Sequence, residues 1–398
     1  MGPVMPTHEH YMQRAIELAE RAVGNTSPNP LVGAVIVRDD AIVAEGWHKQ
    51  AGEAHAEVDA INNATANGYS TEDATIYVSL EPCSHQGKTP PCTNAILNAG
   101  FSKLVYATSD TNTKARGGAE ILRAAGIEVV GGICEEQARQ VNRFFFHYQA
   151  YSTPYVIAKF ASSLDGRTAT RNGDSQWITG PESRQYGHLA RQAVDAIIVG
   201  AQTAIADQPQ LTVRNPDAHP YSDPAHPIRI VLDSSGRVPL SNSLFNQSLP
   251  GNTIVVSTNA MPEKHAHKLA ELNIEVIKLP CSPKANNQTN AETKNYPDVK
   301  LLLKELGQRG MQSVLVEGGN TVVGNFLDHA LINEVWAFIA PVLIGGNDAS
   351  PSVGGLGFET LALAPRLTNV SVEYLNNDIL VKGRIANDST AEFNRVFK

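Results

Sequence analysis

The chain opens on a helical stripe: apolar residues recur at Ala15, Leu18, Ala19 and Ala22 between His8 and Gly24, the period of an amphipathic helix. Two apolar runs follow, Val32–Val37 and Ile42–Trp47, parted by the turn pair Asp39-Asp40, and they predict two strands. The pattern then predicts a helix over Ala54–Ala66, a strand over Thr75–Ser79 and a short helix over Thr93–Asn98. Strands at Leu104–Ala107 and Glu128–Val130 enclose a helix around Ala119–Ala124, and a helix from Glu135 to Tyr148 closes the block. Such strand–helix alternation predicts a three-layer α/β domain.

Ser152-Thr153-Pro154 interrupts the pattern and a fresh strand begins at Tyr155–Phe160. A domain boundary is expected there, giving domains 1–151 and 152–398. The second half alternates again, with strands near Ala196–Val199, Ile228–Leu232, Thr253–Val256 and Ser313–Val316. Helices are expected at Val299–Leu306 and Thr321–Leu327, and closing strands at Glu334–Ala340, Val370–Tyr374 and Ile379–Val381. The Asn-, Thr- and Lys-rich stretch Ser282–Asp298 reads as an exposed insertion.

Composition narrows the class. A chain of 398 residues exceeds one typical core, and 42% apolar against 18% charged residues suits a globular protein. A net charge of -8 argues against a broad nucleic-acid surface, while one phosphate on a small substrate needs only a local pair of basic residues. No run approaches the roughly 20 apolar residues that span a bilayer. Met1–Met12 lacks the apolar core of a signal peptide, so a cytoplasmic setting without a membrane is expected. Cysteines stand only at 83, 92, 134 and 281, too sparse for a disulfide framework and more in keeping with metal or catalytic use.

The strongest local signal is His55-Ala56-Glu57, followed by Pro82-Cys83 and Pro91-Cys92. Zinc favours imidazole and thiolate, and a catalytic site uses three protein ligands with the fourth position left to water. His55, Cys83 and Cys92 are the expected ligands, and Glu57 the proton shuttle of a zinc deaminase. Residues two apart on a helix diverge by about 200°. His55 and Glu57 can therefore share a site only at the mouth of a helix, where Glu53-Ala54-His55 places them. Cys92 is expected to open a helix as well, where the positive dipole end favours thiolate. Eight residues separate the cysteines, against two in the general deaminase pattern.

Other readings stay open on these residues alone. A deaminase of another nucleobase or of nucleic acid, with a non-reductase second domain, shares the zinc chemistry. It would need a basic or aromatic channel, which 6% aromatics and an acidic balance disfavour. A structural zinc module would need a fourth ligand, for which Cys134 is the nearby candidate. In the second half no dinucleotide glycine fingerprint follows a strand. Gly318-Gly319-Asn320, between a strand and a helix, reads equally as a phosphate cradle or as a plain turn.

Longer motifs narrow the choice. Ser27-Pro28-Asn29-Pro30-Leu31-Val32-Gly33, His55-Ala56-Glu57 and the run from Glu81 to Cys92 closely resemble the bifunctional riboflavin-biosynthesis deaminase–reductases. The second half adds the run from Lys159 to Arg167, Ser175-Gln176-Trp177-Ile178-Thr179, the run from Asp207 to Arg214, and Val316-Glu317-Gly318-Gly319. The resemblance spans about His8 to Gly383. It implies a cytidine-deaminase-like domain followed by a dihydrofolate-reductase-like domain, with Zn2+ and NADPH as cofactors. The implied substrate is a phosphorylated pyrimidine, 2,5-diamino-6-(5-phosphoribosylamino)pyrimidin-4(3H)-one, deaminated and then reduced from ribosyl to ribityl. A homo-oligomer, dimer or tetramer, is expected.

By the same resemblance, Asn29, His48, His85, Lys88, Asp110 and Asn112 line the deaminase pocket. Lys88 and His85 suit the phosphate and Asn29 the pyrimidine edge, although Asn29 between two prolines is also an ordinary turn residue. In the reductase, Ser175, Arg191, Leu211, Arg214 and Glu317 map to the substrate. Ala161, Trp177, Thr179, Thr203, Asp207 and Ser234 map to the cofactor, together with Gly318, Gly319 and Asn320. Lys159 is the expected catalytic residue of that half, binding substrate or assisting proton transfer.

Overall fold

The computed structural model describes residues 7–86, 90–112, 115–214, 226–282 and 296–386. The chain divides after Ser152 into two compact units, each built on its own sheet.

The first unit runs α1 (His8–Glu20), β1 (Gly33–Arg38), β2 (Ala41–Trp47), α2 (Ala56–Ala66), β3 (Thr75–Val78) and α3 (Cys92–Asn98). It continues with β4 (Lys103–Tyr106), α4 (Gly118–Ala124), β5 (Glu128–Gly131), α5 (Glu135–Val141) and α6 (Arg143–Tyr151). The sheet order is β2-β1-β3-β4-β5. β1 is antiparallel to both its neighbours, while β3, β4 and β5 are parallel. The alternation of side chains along β1 makes the layers. Ala34 and Ile36 face a core shared with Ala56, Ala60, Ile96 and Leu122, from α2, α3 and α4. Val35 and Val37 face the other side, against Met12, Ala15 and Ala138 of α1 and α5.

Two glycines let helices approach the strands on these faces. A Cβ on Gly33 would lie 2.0 Å from the Ala15 carbonyl oxygen, and one on Gly46 would lie 2.3 Å from the Ala60 nitrogen. The single helix expected over Glu135–Tyr148 is instead two, broken at Asn142. The buried Asn142 amide accepts the Leu31 N–H and donates to the Leu31 carbonyl, both at 2.8 Å. That side chain clamps the chain entering β1, and its backbone leaves the helical conformation to do so.

The second unit begins with β6 (Tyr155–Ser163), α7 (Pro181–Gln192), β7 (Ala196–Gly200), α8 (Ala201–Asp207), β8 (Ile228–Leu232) and β9 (Thr253–Ser257). Next come α9 (Glu263–Glu271), β10 (Glu275–Lys278), α10 (Val299–Gln308), β11 (Ser313–Val316) and α11 (Asn320–Asp328). β12 (Glu334–Ala340), β13 (Leu367–Leu375) and β14 (Asp378–Ile385) complete it. The strand order is β10-β9-β8-β7-β11-β6-β12-β14-β13. The strands are parallel as far as β12, and β14 and β13 are antiparallel.

Every residue of β7, β9 and β11 is buried, so these strands read as continuous apolar runs. Three helices and β10 go beyond the elements expected from the sequence. The inward residues of α7 are Ser183, Gly187, Ala190 and Gln192, and α9 buries only Leu269. Neither writes an apolar stripe. β11 lies between β6 and β7 although it follows them by more than a hundred residues. The loops that diverge from these strand ends leave the crevice in which open α/β sheets hold ligands.

The close approach at Gly33 is testable. Gly33→Ala is expected to lower the unfolding free energy by about 1–3 kcal/mol, read by denaturant titration, and an unchanged midpoint would contradict the packing described.

Candidate active sites

The antiparallel pairing of β1 brings several chain segments to one end of the first sheet. The start of β1, the end of β2 and the ends of β3 and β4 all lie there. Asn29 precedes β1, His48 and His55 follow β2, Cys83 follows β3 and Asp110 follows β4. His55 is the N-cap of α2, with extended backbone (φ -71°, ψ 161°). That geometry frees His55 from the 200° divergence of a regular helix and lets Glu57, in the first turn, serve the same site. Cys92 is the first residue of α3 and is buried.

Ligand atoms of His55, Cys83 and Cys92 lie within 4.8 Å of one another. Nδ1 of His55 is 3.1 Å from Cys92 Sγ and 3.6 Å from Cys83 Sγ. These donors fit zinc on their own electrostatics. Hydrogen bonding from Cys92, with His55 beside it, lowers the Cys83 thiol against the cost of burial. Cys92 is pushed the other way, by Cys83, by burial and by Glu57. Two adjacent sulfurs cannot both ionise unaided; a divalent cation between them removes the conflict. Cys134 lies outside this cluster at the start of α5.

Around the donors, His48 is buried and its Nδ1 lies 3.0 Å from the Ala54 carbonyl. A carbonyl only accepts, so Nδ1 carries the proton; burial also lowers the His48 pKa and keeps the ring neutral. Nε2 must then accept, and Asn29 Nδ2 supplies the donor at 3.1 Å. That contact fixes the orientation of the Asn29 amide. Glu57 is 3% exposed, and burial followed by the negative charge on Cys83 raises its pKa. Burial likewise raises Asp110 to about 6, with the Glu81 and Cys83 charges adding to the effect and the Asn112 N–H opposing it. His85 Nδ1 is buried with no hydrogen-bond partner among the described residues. Lys88 lies outside the described residues.

In the second unit most of the expected residues cluster at the C-terminal ends of β6, β7 and β11. Lys159 and Ala161 are on β6, Arg191 is on α7, and Thr203 and Asp207 are on α8. Glu317 and Gly318-Gly319-Asn320 continue from β11. Arg191 grips Glu317 with two parallel hydrogen bonds, 2.8 and 2.9 Å. Burial opposes the Glu317 charge, but Arg191 and Lys159 more than offset it and hold the carboxyl at about 2. Lys159 is itself lowered, by burial, against the pull of Glu317. Arg191 also reaches the Thr212 carbonyl at 3.3 Å, which ties in the segment from Leu211 to Arg214. Gly319 has φ 68°, and a Cβ there would sit 3.0 Å from Thr203 Oγ1. The β11 turn and the α8 start are therefore neighbours.

Ser175 joins this cluster through Asp207, whereas the other expected residues show contacts elsewhere. Trp177 is 70% exposed and packs under Arg184, and Arg214 is exposed. Thr179 is buried, and its carbonyl accepts from Arg184 at 2.8 Å. Ser175 pairs with Asp207, and Ser234 receives two hydrogen bonds from Thr258. Two further residues, Glu81 and Asp378, organise these sites. Glu81 organises the loop after β4, signalled only by its place before Pro82-Cys83. Asp378 accepts from Gly180 N–H at 2.7 Å and Ser183 hydroxyl at 2.6 Å, pinning the start of α7. Nothing around Asp378 in the sequence signals that contact.

Comparison with known proteins agrees with this geometry. The cytidine and deoxycytidylate deaminase zinc-binding region matches residues 5–108, and the RibD C-terminal domain matches residues 154–381. The riboflavin biosynthesis protein RibD of Aquifex aeolicus is 39% identical over 94% of this chain and 97% of its own. That of Escherichia coli is 38% identical over 93% and 97%. The solved Acinetobacter baumannii RibD (form 1) is 38% identical, superposes with a TM-score of 0.81, and is covered over 99% of its chain and 96% of this one. A Thermotoga maritima diaminohydroxyphosphoribosylaminopyrimidine deaminase/5-amino-6-(5-phosphoribosylamino)uracil reductase is 35% identical with a TM-score of 0.80, over 95% of this chain and 99% of its own. With a deaminase-like first unit, a reductase-like second unit and relatives of this similarity along nearly its whole length, the chain belongs to the RibD family of riboflavin-biosynthesis proteins.

Proposed function

We infer that the chain catalyses two consecutive steps of riboflavin biosynthesis. It removes the 2-amino group of 2,5-diamino-6-(5-phosphoribosylamino)pyrimidin-4(3H)-one by zinc-dependent hydrolysis, then reduces the ribosyl group to ribityl with NADPH. The convergence of His55, Cys83 and Cys92 at one end of a deaminase-type sheet carries this reading. Residues 1–151 form the deaminase and 152–398 the reductase.

In the deaminase, His55, Cys83 and Cys92 hold the zinc, which when bound supplies the Lewis acidity that makes water nucleophilic at neutral pH. Glu57 carries the first proton of the attacking water to the ring nitrogen, and the second, released as the added hydroxyl becomes the carbonyl, to the amine that leaves as ammonia, as in zinc deaminases generally. Asn29, oriented by His48, offers its carbonyl to a ring N–H. Asp110 and Asn112 line the opposite wall, and His85 and Lys88 meet the phosphate.

In the reductase, NADPH when bound supplies the hydride. Ala161, Trp177, Thr179, Thr203, Asp207, Ser234 and the turn Gly318-Gly319-Asn320 hold the cofactor. Ser175, Leu211, Arg214 and the Arg191–Glu317 pair hold the substrate. Lys159, whose ammonium is destabilised by burial, gives a proton to the nitrogen of the ring-opened imine.

The setting is cytoplasmic, without a nucleic-acid partner; no helix among the described residues is long and apolar enough to cross a membrane. The chain self-associates as a dimer or tetramer. The support is β13, which among the described residues pairs with β14 alone and exposes Val370, Val372 and Tyr374 in alternation, an edge that a second copy would cover.

Two outcomes check these assignments. The zinc residues end at Cys92 and the reductase residues begin at Lys159. Glu57→Gln is therefore expected to keep its zinc and lose about a thousandfold in ammonia release, while oxidising NADPH normally when given the deaminated substrate. A folded variant unable to use that substrate would show the two sites to be one. Sedimentation at micromolar concentration is expected to find a dimer or tetramer, which Val372→Lys with Tyr374→Lys dissociates; a monomeric wild type would contradict the self-association.

A further inference from the structure

The loop after β3 carries Glu81-Pro82-Cys83-Ser84, and the loop after the adjacent parallel strand β4 carries Asp110 and Asn112. Glu81 is 6% exposed. Its Oε2 accepts the Asp110 N–H at 3.1 Å, and its Oε1 accepts the N–H groups of Gly117 at 3.0 Å and Ala119 at 3.1 Å. Ser84 grips the same loop in the opposite sense. Its N–H donates to the Ala115 carbonyl at 3.0 Å, and its hydroxyl is shared between the carbonyls of Ala115 and Arg116 at 3.1 and 2.9 Å. Between these two grips a Cβ on Gly118 would fall 1.9 Å from the Pro82 carbonyl oxygen. Glu81, Pro82 and Ser84, which flank Cys83, are thus held against the second loop.

We propose that Glu81 is a positioning residue of the deaminase. By accepting the N–H groups of Asp110, Gly117 and Ala119, its carboxylate sets the Asp110–Asn112 wall of the pocket at a fixed distance from Cys83. The proposal rests on the deaminase reading of that pocket. A carboxylate suits the task because it only accepts, and three N–H groups, two of them buried, converge on it. The isosteric amide cannot replace it. Its carbonyl could serve Gly117 and Ala119, but its NH2 would then face the Asp110 N–H, leaving a buried donor without an acceptor. Both carboxylate oxygens are committed to backbone, so Glu81 acts on substrate through Asp110 and Asn112 rather than by proton transfer. The metal donors and Glu57 are held by α2, α3 and the β3 strand end. A change at Glu81 should therefore disturb substrate binding before it disturbs the reacting centre.

The test uses the full-length, zinc-loaded protein carrying Glu81→Gln, with Glu81→Asp as a second variant that keeps the charge but shortens the reach. Ammonia release from the diaminopyrimidine phosphate should show KM raised at least tenfold and kcat changed less than threefold in both. Zinc content, and NADPH oxidation with the deaminated substrate, should match wild type. Amide hydrogen exchange of Asp110, Gly117 and Ala119 should accelerate at least tenfold in Glu81→Gln. Zinc and kcat falling together at constant KM would make Glu81 a support of the metal instead, and overturn the proposal. So would unchanged KM with unchanged exchange, or loss of both activities through unfolding of both variants. A wild-type protein that binds zinc but releases no ammonia would defeat the deaminase reading itself, and the proposal with it.

Discussion

Two sulfurs and an imidazole nitrogen, contributed from three separate stretches of chain, must be held within 4.8 Å of one another. The architecture of the first unit follows from that demand. One end of a single sheet supplies the place, because β1 runs antiparallel to its neighbours and its start meets the ends of β2, β3 and β4. The helices complete the arrangement. His55 stands just outside α2 with extended backbone, Glu57 just inside it, and Cys92 opens α3. Gly46 lets α2 close on the sheet, and Asn142 anchors the chain ahead of β1. Holding two thiol groups this close without a cation is unfavourable for their second ionisation, so binding of the metal and integrity of the site are coupled.

The second unit meets a similar demand with different chemistry. Its candidate residues come from β6, from helices α7 and α8 and from the turn after β11, near the C-terminal ends of parallel strands on both sides of the inserted β11. The anchor is the buried Arg191–Glu317 pair, with Lys159 in its field. Removing one partner of such a pair leaves an uncompensated buried charge, a loss of about 3–5 kcal/mol. The pair is better understood as fixing the direction of charged groups than as a source of stability.

How much of this was legible varies with the physics of each element. The buried strands β7, β8 and β11 were readable because both faces are covered and the apolar run is unbroken. The convergence of His55, Cys83 and Cys92 was readable because metal chemistry restricts both residue type and order, even with eight residues between the cysteines. Helix α7 was not, since it packs through Ser183, Gly187, Ala190 and Gln192 rather than through an apolar stripe. The break at Asn142 was hidden because it answers a partner, Leu31, 111 residues away. Glu81 and Asp378 were missed for the same reason: a carboxylate that receives backbone N–H groups from distant loops has no local pattern. The cofactor and substrate roles of the second unit came from resemblance, for isolated arginines and glycine turns carry little information by themselves.

An open, three-ligand zinc site built from His55, Cys83 and Cys92 is checked by zinc K-edge X-ray absorption on the purified full-length protein. Such a site gives two sulfur scatterers and two light scatterers, one of them with the multiple-scattering signature of imidazole and the other exchangeable with solvent or inhibitor. A shell of three or four sulfurs, or a fourth ligand that no solute displaces, would contradict it.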